Sequence, residues 1–232
     1  IHLIGNNKTG VYVKNATFIN NGKIIMEGQN TIVIKAENST VKIASGSEII
    51  LKNGAIEDSV TQSNTDFIGN GVGNTSVNGK FYDLDTYSTL VNAGSLSATR
   101  ILSVQGTGKF VLDSETGTIN TKTLNLEKDM YINSSSTLNS SENVYENNNL
   151  NVSDITGAGK ILSESKLFSA NVVKNVSSYN ITLTRSSFED IFTGDLGTVF
   201  ENDYSGSGSN INQNDIYNSL KTITTASALN SA

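Results

Sequence analysis

The chain has 232 residues, and small polar types dominate it, with 31 Asn, 30 Ser, 24 Thr and 20 Gly. It contains no Cys, which excludes a disulfide framework, and no Pro. The net charge is −6 and no cluster of basic residues exists, which excludes the electrostatic pattern of nucleic-acid-binding proteins, so no nucleic-acid partner is predicted. Apolar runs are far shorter than the roughly 20 residues of a membrane-spanning helix.

Short apolar segments alternate with polar residues from the beginning of the chain. The centres of the predicted strands lie near residues 12, 18, 25, 33, 42 and 50. Segments of the same kind recur at 124–126, 150–152 and 180–184, and they are rich in Val, Ile and Thr. A disordered chain would lack this hydrophobic periodicity. The sequence therefore predicts a folded, all-β protein with one short strand every six to nine residues in its first part.

The predicted strands are separated by Asn-Gly pairs, such as Asn21-Gly22, Asn53-Gly54 and Asn78-Gly79. Both residue types tolerate a positive φ, so each pair is compatible with a type I′ hairpin turn. Each pair is equally compatible with the corner of a solenoid, where one left-handed residue bends the chain between two strands. The local pattern leaves both interpretations open.

A recurring motif favours the solenoid. Gly-Lys followed by an apolar residue begins at Gly22, Gly79, Gly108 and Gly159, with separations of 57, 29 and 51 residues. The longest match pairs 106–110 with 157–161. Repeats of about 20 to 30 residues with loops of variable length are typical of stacked β-coils. We therefore expect residues 1–187 to form a parallel β-helix, with Asn at its corners.

The last 45 residues have a different periodicity. Apolar residues follow at steps of four, which is helical spacing, at Phe188, Phe192, Leu196, Phe200 and Tyr204. A Gly/Ser stretch at 205–209 separates this segment from a second apolar stripe. The pattern predicts a mostly helical C-terminal transition or linker over 188–232.

One stretch is a candidate binding surface, an irregular insertion near 57–87 that contains a Gly/Asn-rich loop. Loops on a rigid scaffold commonly carry binding residues, and Tyr and Phe pack well against sugars or protein partners. The candidate contact residues are Phe67, Tyr82 and Tyr87. The alternative interpretation is that Phe67 and the neighbouring Phe81 fill the protein interior and that the loop is only an insertion.

The sequence gives no coherent catalytic set. Asn64-Thr65-Asp66 matches a fragment of polygalacturonase-type sites, but the expected Gly-His-Gly, paired Asp-Asp and Arg-x-Lys elements are absent from the sequence. The only imidazole belongs to His2, near the beginning of the chain. Asp83 and Asp85 share one strand face without further oxygen ligands for a metal. We predict no enzyme activity, no catalytic or metal-binding residues and no cofactor.

The segment 179–185, with the sequence Tyr-Asn-Ile-Thr-Leu-Thr-Arg, is followed by Ser187 to Ile191. This arrangement resembles the end of the passenger domain in large type Va autotransporter adhesins, particularly the fusobacterial outer-membrane adhesins. There, a similar strand precedes a helical stretch and then an outer-membrane β-barrel. The Gly-x-Gly-Lys element at 157–160 is similar to the Gly-x-Gly turns that recur along such passengers.

The resemblance implies a right-handed parallel β-helix on the outside of a Gram-negative cell. Its implied function is adhesion to other bacteria or to host cells, as a stalk or adhesin region, through an unknown surface protein or glycan. The C-terminal coils would stabilise passenger folding, and residues 188–232 would lead toward the outer-membrane β-barrel. The chain begins at Ile1 without a signal-peptide pattern and is interpreted as an internal fragment.

Two other functions remain open from the residues alone. A secreted polysaccharide-degrading enzyme would share the β-helix and would release reducing sugars from polyuronates. An antiparallel β-sandwich repeat of a surface-layer or fimbrial protein would use the same short strands and Asn-Gly turns in hairpins.

Overall fold

The computed structural model describes residues 1–27, 31–52, 79–98, 101–133, 144–192, 194–203, 219–220 and 223. The first strands are β1 (His2–Ile4), β2 (Thr9–Lys14), β3 (Thr17–Asn20), β4 (Lys23–Glu27), β5 (Thr31–Glu37), β6 (Thr40–Ile43), β7 (Glu48–Lys52), β8 (Gly79–Leu84) and β9 (Thr89–Asn92). The next strands are β10 (Ser95–Ser97), β11 (Ile101–Val104), β12 (Lys109–Leu112), β13 (Thr118–Leu126), β14 (Met130–Ile132), β15 (Val144–Gly157), β16 (Ile161–Ser163), β17 (Phe168–Lys174) and β18 (Tyr179–Arg185). Two helices follow, α1 (Phe188–Ile191) and α2 (Asp195–Asp203).

The prediction of an all-β fold is confirmed, and the six strand centres predicted in the first fifty residues fall within β2 to β7. The alternation of buried and exposed side chains explains why these segments form strands. In β4, Ile24 and Met26 are buried and Lys23 is exposed on the opposite face. The break at Asn21 and Gly22, between β3 and β4, was also predicted.

The strands form three sheets, which we call A, B and C. Sheet A has the order β1-β4-β7-β10-β13-β15-β18-β17, with β11 also paired to β13. Sheet B has the order β2-β5-β8, and sheet C has the order β16-β14-β12-β9-β6-β3. Along these paths, each sheet takes every third strand of the chain as far as β10, whereas β11 belongs to sheet A. Pairing is parallel in sheets B and C and from β1 to β15 in sheet A.

The register repeats at nearly constant sequence separation at the beginning of the chain. Residues paired between β1 and β4, between β2 and β5, and between β3 and β6 are all 23 residues apart. The separation rises to 47 between β7 and β10, where Glu48 pairs with Ser95. The insertion predicted near 57–87 falls within this interval. Residues 53–78 lie outside the described residues, whereas 79–84 form β8 and pair with β5.

The Gly-Lys motif stands immediately before or at the beginning of β4, β8, β12 and β16, which belong to three different sheets. Only the two longest copies occupy equivalent positions. Val111 pairs with Tyr131 and Tyr131 pairs with Leu162, so the copies at 106–110 and 157–161 are in register two strands apart in sheet C. Gly106 and Gly157 both have positive φ, at 77° and 96°.

A continuous hydrophobic core runs between the sheets from β2 to α1. The two ends of this core differ. At the first end, Leu3 and Phe18 are only partly buried, whereas their register partners Met26 and Val41 have no exposed surface. At the other end, α1 and α2 follow the last strand, and Phe188 and Phe192 are buried within the core.

The last strands depart from the expected parallel pairing. Strand β18 pairs antiparallel with both β15 and β17. For β17 and β18, the physical reason is the short turn between them, closed by the N–H of Asn175 donating to Ser178 O at 2.8 Å. So short a connection joins antiparallel strands, whereas parallel neighbours need a long crossover.

The predicted helical character after residue 188 is confirmed for α1 and α2, with a break near Gly194, whose φ is 75°. Residues 204–218, which include Tyr204, lie outside the described residues. In the described part of the chain, no helix is both long enough and apolar enough to cross a membrane.

The parallel register can be tested with cysteine pairs, because the chain contains no cysteine of its own. Thr40 and Thr89 are direct partners on β6 and β9. Adjacent strands lie about 4.8 Å apart, which is within disulfide range. We expect a Thr40→Cys/Thr89→Cys variant to form a disulfide under mild oxidation, detected by mass spectrometry of the linked peptides.

The matched control is Thr17→Cys/Thr89→Cys, because β6 lies between these two strands. Their separation of about 9.6 Å exceeds the disulfide limit. A bridge that forms equally fast in the control would contradict the register.

Candidate binding surface

Tyr87 lies in a tight turn between β8 and β9. The N–H of Ser88 donates to Asp85 O at 3.1 Å, and the Ser88 hydroxyl donates to Asp85 Oδ1 at 2.5 Å. The hydroxyl hydrogen bond is the main reason that the pKa of Asp85 is lowered. The Tyr87 side chain is 79% exposed. The turn therefore holds an aromatic ring in solvent on a backbone that is fixed by its own hydrogen bonds.

A column of polar corner residues supports this turn. Asn15 and Asn38 have the left-handed conformation, with φ of 52° and 46°. The side-chain amide of Asn38 donates to Asn15 Oδ1 at 2.9 Å, and its backbone N–H donates to both carboxylate oxygens of Asp85, at 3.0 and 3.1 Å. Asn suits these positions between strands, because it accepts the left-handed conformation and hydrogen-bonds its neighbours.

A glycine holds the next segment of chain close to the same turn. A Cβ atom added to Gly108 would lie 2.4 Å from Leu84 Cβ and 2.7 Å from Asp85 O. The N–H of Gly108 donates to Leu84 O at 3.3 Å. Any larger residue at this position would push the neighbouring backbone away, so the Gly-Lys motif here serves close packing.

The three candidate contact residues have different positions in the structure. Tyr87 is exposed in the turn. Tyr82 lies on β8 opposite Ile34, a core residue, and the side chain of Tyr82 is outside the described residues. Phe67 lies outside the described residues altogether. Of the three, Tyr87 is therefore the one whose side chain the structure shows in solvent.

Tyr12 is a second exposed aromatic residue, which the sequence analysis did not identify. The alternation of side chains along β2 would place it on the outer face of that strand. The hydroxyl of Tyr12 donates to Glu37 Oε2 at 2.8 Å, and Lys14 Nζ lies 3.2 Å from the same oxygen. The hydrogen bond to Glu37 is the first cause of the raised pKa of Tyr12, and it lowers the pKa of Glu37. The Tyr12 hydroxyl already has a partner, whereas the Tyr87 ring projects from its turn.

The outer face of sheet A carries a ladder of hydrogen-bonded amides and hydroxyls. The Asn151 amide donates to Asn120 Oδ1 at 2.7 Å, and the Asn120 amide donates to Ser95 Oγ at 3.0 Å and to Ser97 Oγ at 3.4 Å. These groups satisfy one another between neighbouring strands. The ladder therefore explains part of the polar composition as a stabilising feature of the sheet.

Two of the residues weighed for chemistry, His2 and Asp85, have ordinary structural partners, whereas residues 64–66 and the side chain of Asp83 lie outside the described part of the chain. His2 Nε2 lies 2.9 Å from Glu27 Oε1 on a neighbouring strand. The Asp85 carboxylate accepts hydrogen bonds from the backbone of Asn38 and from the Ser88 hydroxyl. Among the residues placed by the structure, no three His, Cys, Asp or Glu side chains gather in a group that could hold a metal ion.

No protein-family model, curated protein or solved structure matches the chain. The surface must therefore be interpreted from its own residues. Tyr87 offers a rigidly mounted aromatic face beside amide and carboxylate groups. Such a combination suits a sugar ring or a protein surface, since an aromatic ring gives much contact area at a low entropic cost.

The corner conformation leads to a stability prediction at Asn38. Asn38→Ala should lower the free energy of unfolding by about 1–2 kcal/mol, because alanine is strained at positive φ and removes the hydrogen bond to Asn15. Asn38→Gly loses the same hydrogen bond without that strain and should cost about 1 kcal/mol or less. Denaturant titration measures the free energy of unfolding of both variants. Equal decreases in the two variants would show that the positive φ of residue 38 does not contribute to the cost of the alanine substitution.

Proposed function

We propose that the chain is a section of a right-handed parallel β-helix that a Gram-negative bacterium displays on its surface as the passenger of an autotransporter adhesin. The observation that carries the fold part of this proposal is the strand order. As far as β10, three sheets each take every third strand, in parallel, and the first registers repeat at 23 residues. In a solenoid, each set of three strands would be one coil stacked on the previous coil.

The proposed architecture fits the unusual composition. Stacked coils repeat the same position along a sheet, so small polar residues can form ladders on outer faces and at corners, as at Asn15 and Asn38. A core of aliphatic residues between the sheets supplies the hydrophobic stabilisation. Such a body needs neither disulfides nor prolines, and the chain contains neither.

The proposed function is adhesion, either as a stalk that extends a distant binding region or as a contact surface in its own right. Tyr87 supports the second possibility, because its turn is fixed and its ring is exposed. The partner would be a protein or glycan on a host cell or on another bacterium. The role requires no catalytic centre and no cofactor.

The C-terminal part of the proposal rests on the order of elements. Strand β18 contains the Ile-Thr-Leu-Thr-Arg sequence, and α1 begins three residues after Arg185. This order agrees with the resemblance to adhesin passengers, in which such a strand precedes a helical stretch. We propose that residues 188–232 lie between the coils and an outer-membrane β-barrel, and that the last coils stabilise passenger folding.

The display and adhesion proposals can be tested in the intact surface protein of the source bacterium. Antibodies against this chain should label intact cells, and an external protease should remove the labelling. Tyr87→Ala should weaken adhesion about tenfold or more if the ring is an interface hot spot, without changing the amount displayed. Adherence of labelled cells to their target, normalised to antibody binding, is the measurement.

Tyr12→Ala is the matched control, because Tyr12 is also an exposed tyrosine but lies in sheet B with its hydroxyl bonded to Glu37. Unchanged adhesion in the Tyr87 variant would reject the role of Tyr87 as a contact residue and leave the stalk role as the proposed function. Labelling only after cells are broken open would reject surface display itself.

A further inference from the structure

The last strand and the second helix are joined by a partly buried ion pair between Arg185 and Glu201. Arg185, the final residue of β18, has a side chain only 7% exposed. Its guanidinium donates through Nη2 to Glu201 Oε1 at 2.7 Å and through Nη1 to Glu201 Oε2 at 2.9 Å. This bidentate geometry is the strong form of an arginine–carboxylate pair.

The same carboxylate fixes the beginning of α1. The backbone N–H of Phe188 donates to Glu201 Oε2 at 2.8 Å, and the Ser187 hydroxyl donates to it at 3.3 Å. Glu201 therefore accepts from four donors on the segment between β18 and α1. The hydrogen bond from Arg185 is the largest cause that lowers the pKa of Glu201 to about 2, so the group stays charged in mild acid.

Apolar packing joins the two helices on the side that faces the core. The rings of Phe188, Phe192 and Phe200 lie with centroids 5.5 to 6.2 Å apart. Gly197 of α2 allows the close approach, because a Cβ there would lie 2.7 Å from Phe188 O. On another side of α2, Leu196 is 51% exposed.

These helices lie at the end of the core where the parallel pairing stops. The N–H of Ser186 donates to Leu167 O at 2.8 Å, beside the first residue of β17. Leu167 and Phe168 are both buried and belong to the same core as Phe188. At the opposite end of the core, Leu3 and Phe18 are only partly buried.

We propose that α1 and α2 form a closing strap over this end of the core, and that Glu201 is the latch that fastens the strap to the last strand. Loss of the Glu201 carboxylate would cost stability, because the nearly buried Arg185 guanidinium would no longer face that charge. It would also remove the acceptor for the N–H at the beginning of α1. The strap would then open while the sheets remain folded. This inference does not depend on surface display or adhesion.

Hydrogen exchange measured by mass spectrometry on the full chain tests the strap. In Glu201→Ala, we expect amides of 188–203 to exchange about tenfold to a hundredfold faster than in the parent chain, with little change in β4 to β12. Glu201→Gln, which keeps the shape and one acceptor oxygen but loses the charge, should give a smaller change in the same peptides. It also serves as the test variant if the alanine variant does not fold.

Glu189→Gln is the matched control, because Glu189 is an exposed acid in the first turn of α1, whereas the two-bond pair of Arg185 described above is with Glu201. Its exchange should equal that of the parent chain. Two results would overturn the proposal. One is unchanged exchange at 188–203 in both Glu201 variants. The other is equal acceleration in the strap and in β4 to β12, which would mean that the whole structure unfolds as one unit.

Discussion

Parallel backbone pairing, at a nearly constant sequence separation in the first strands, is the constraint on which the rest of the structure depends. When each strand pairs with the third strand after it, residues 23 positions apart are brought into the same column at the beginning of the chain. Each column then needs compatible side chains along its length. Apolar columns build the core, and polar columns must satisfy one another by hydrogen bonds.

This constraint accounts for the composition better than general hydrophilicity does. Asn15 and Asn38 share a corner column, and Asn120 and Asn151 share a column on the outer face of sheet A. An amide donates and accepts at the same time, so successive amides can be linked along a column. Glycine serves a different need, because Gly108 lies where two backbones approach too closely for any side chain. The same framework fixes the turn that carries Tyr87.

The sequence predicted the elements whose signals are local. Strands β2 to β7 could be predicted because apolar residues alternate with polar ones and Asn or Gly separates the strands. Helical character after Phe188 was predicted because apolar residues there are spaced four positions apart. The antiparallel pairing of β18 with β17 could not be predicted, since the turn at 175–178 contains neither Gly nor Pro. The pair between Arg185 and Glu201 was also missed, because its partners come together only when α2 lies against the end of β18. Local spacing likewise did not distinguish exposed Tyr87 from Tyr82, which lies opposite a core residue.

The most direct test of this account measures distances along one column of sheet C. Ile19, Tyr131 and Leu162 lie in the same column on strands β3, β14 and β16, four and five steps apart. With spin labels at Ile19 and Tyr131, and separately at Ile19 and Leu162, pulsed electron paramagnetic resonance should give mean distances that differ by about 5 Å, one strand spacing. A shorter distance to Leu162 than to Tyr131, or broad distributions without order, would contradict the parallel stack.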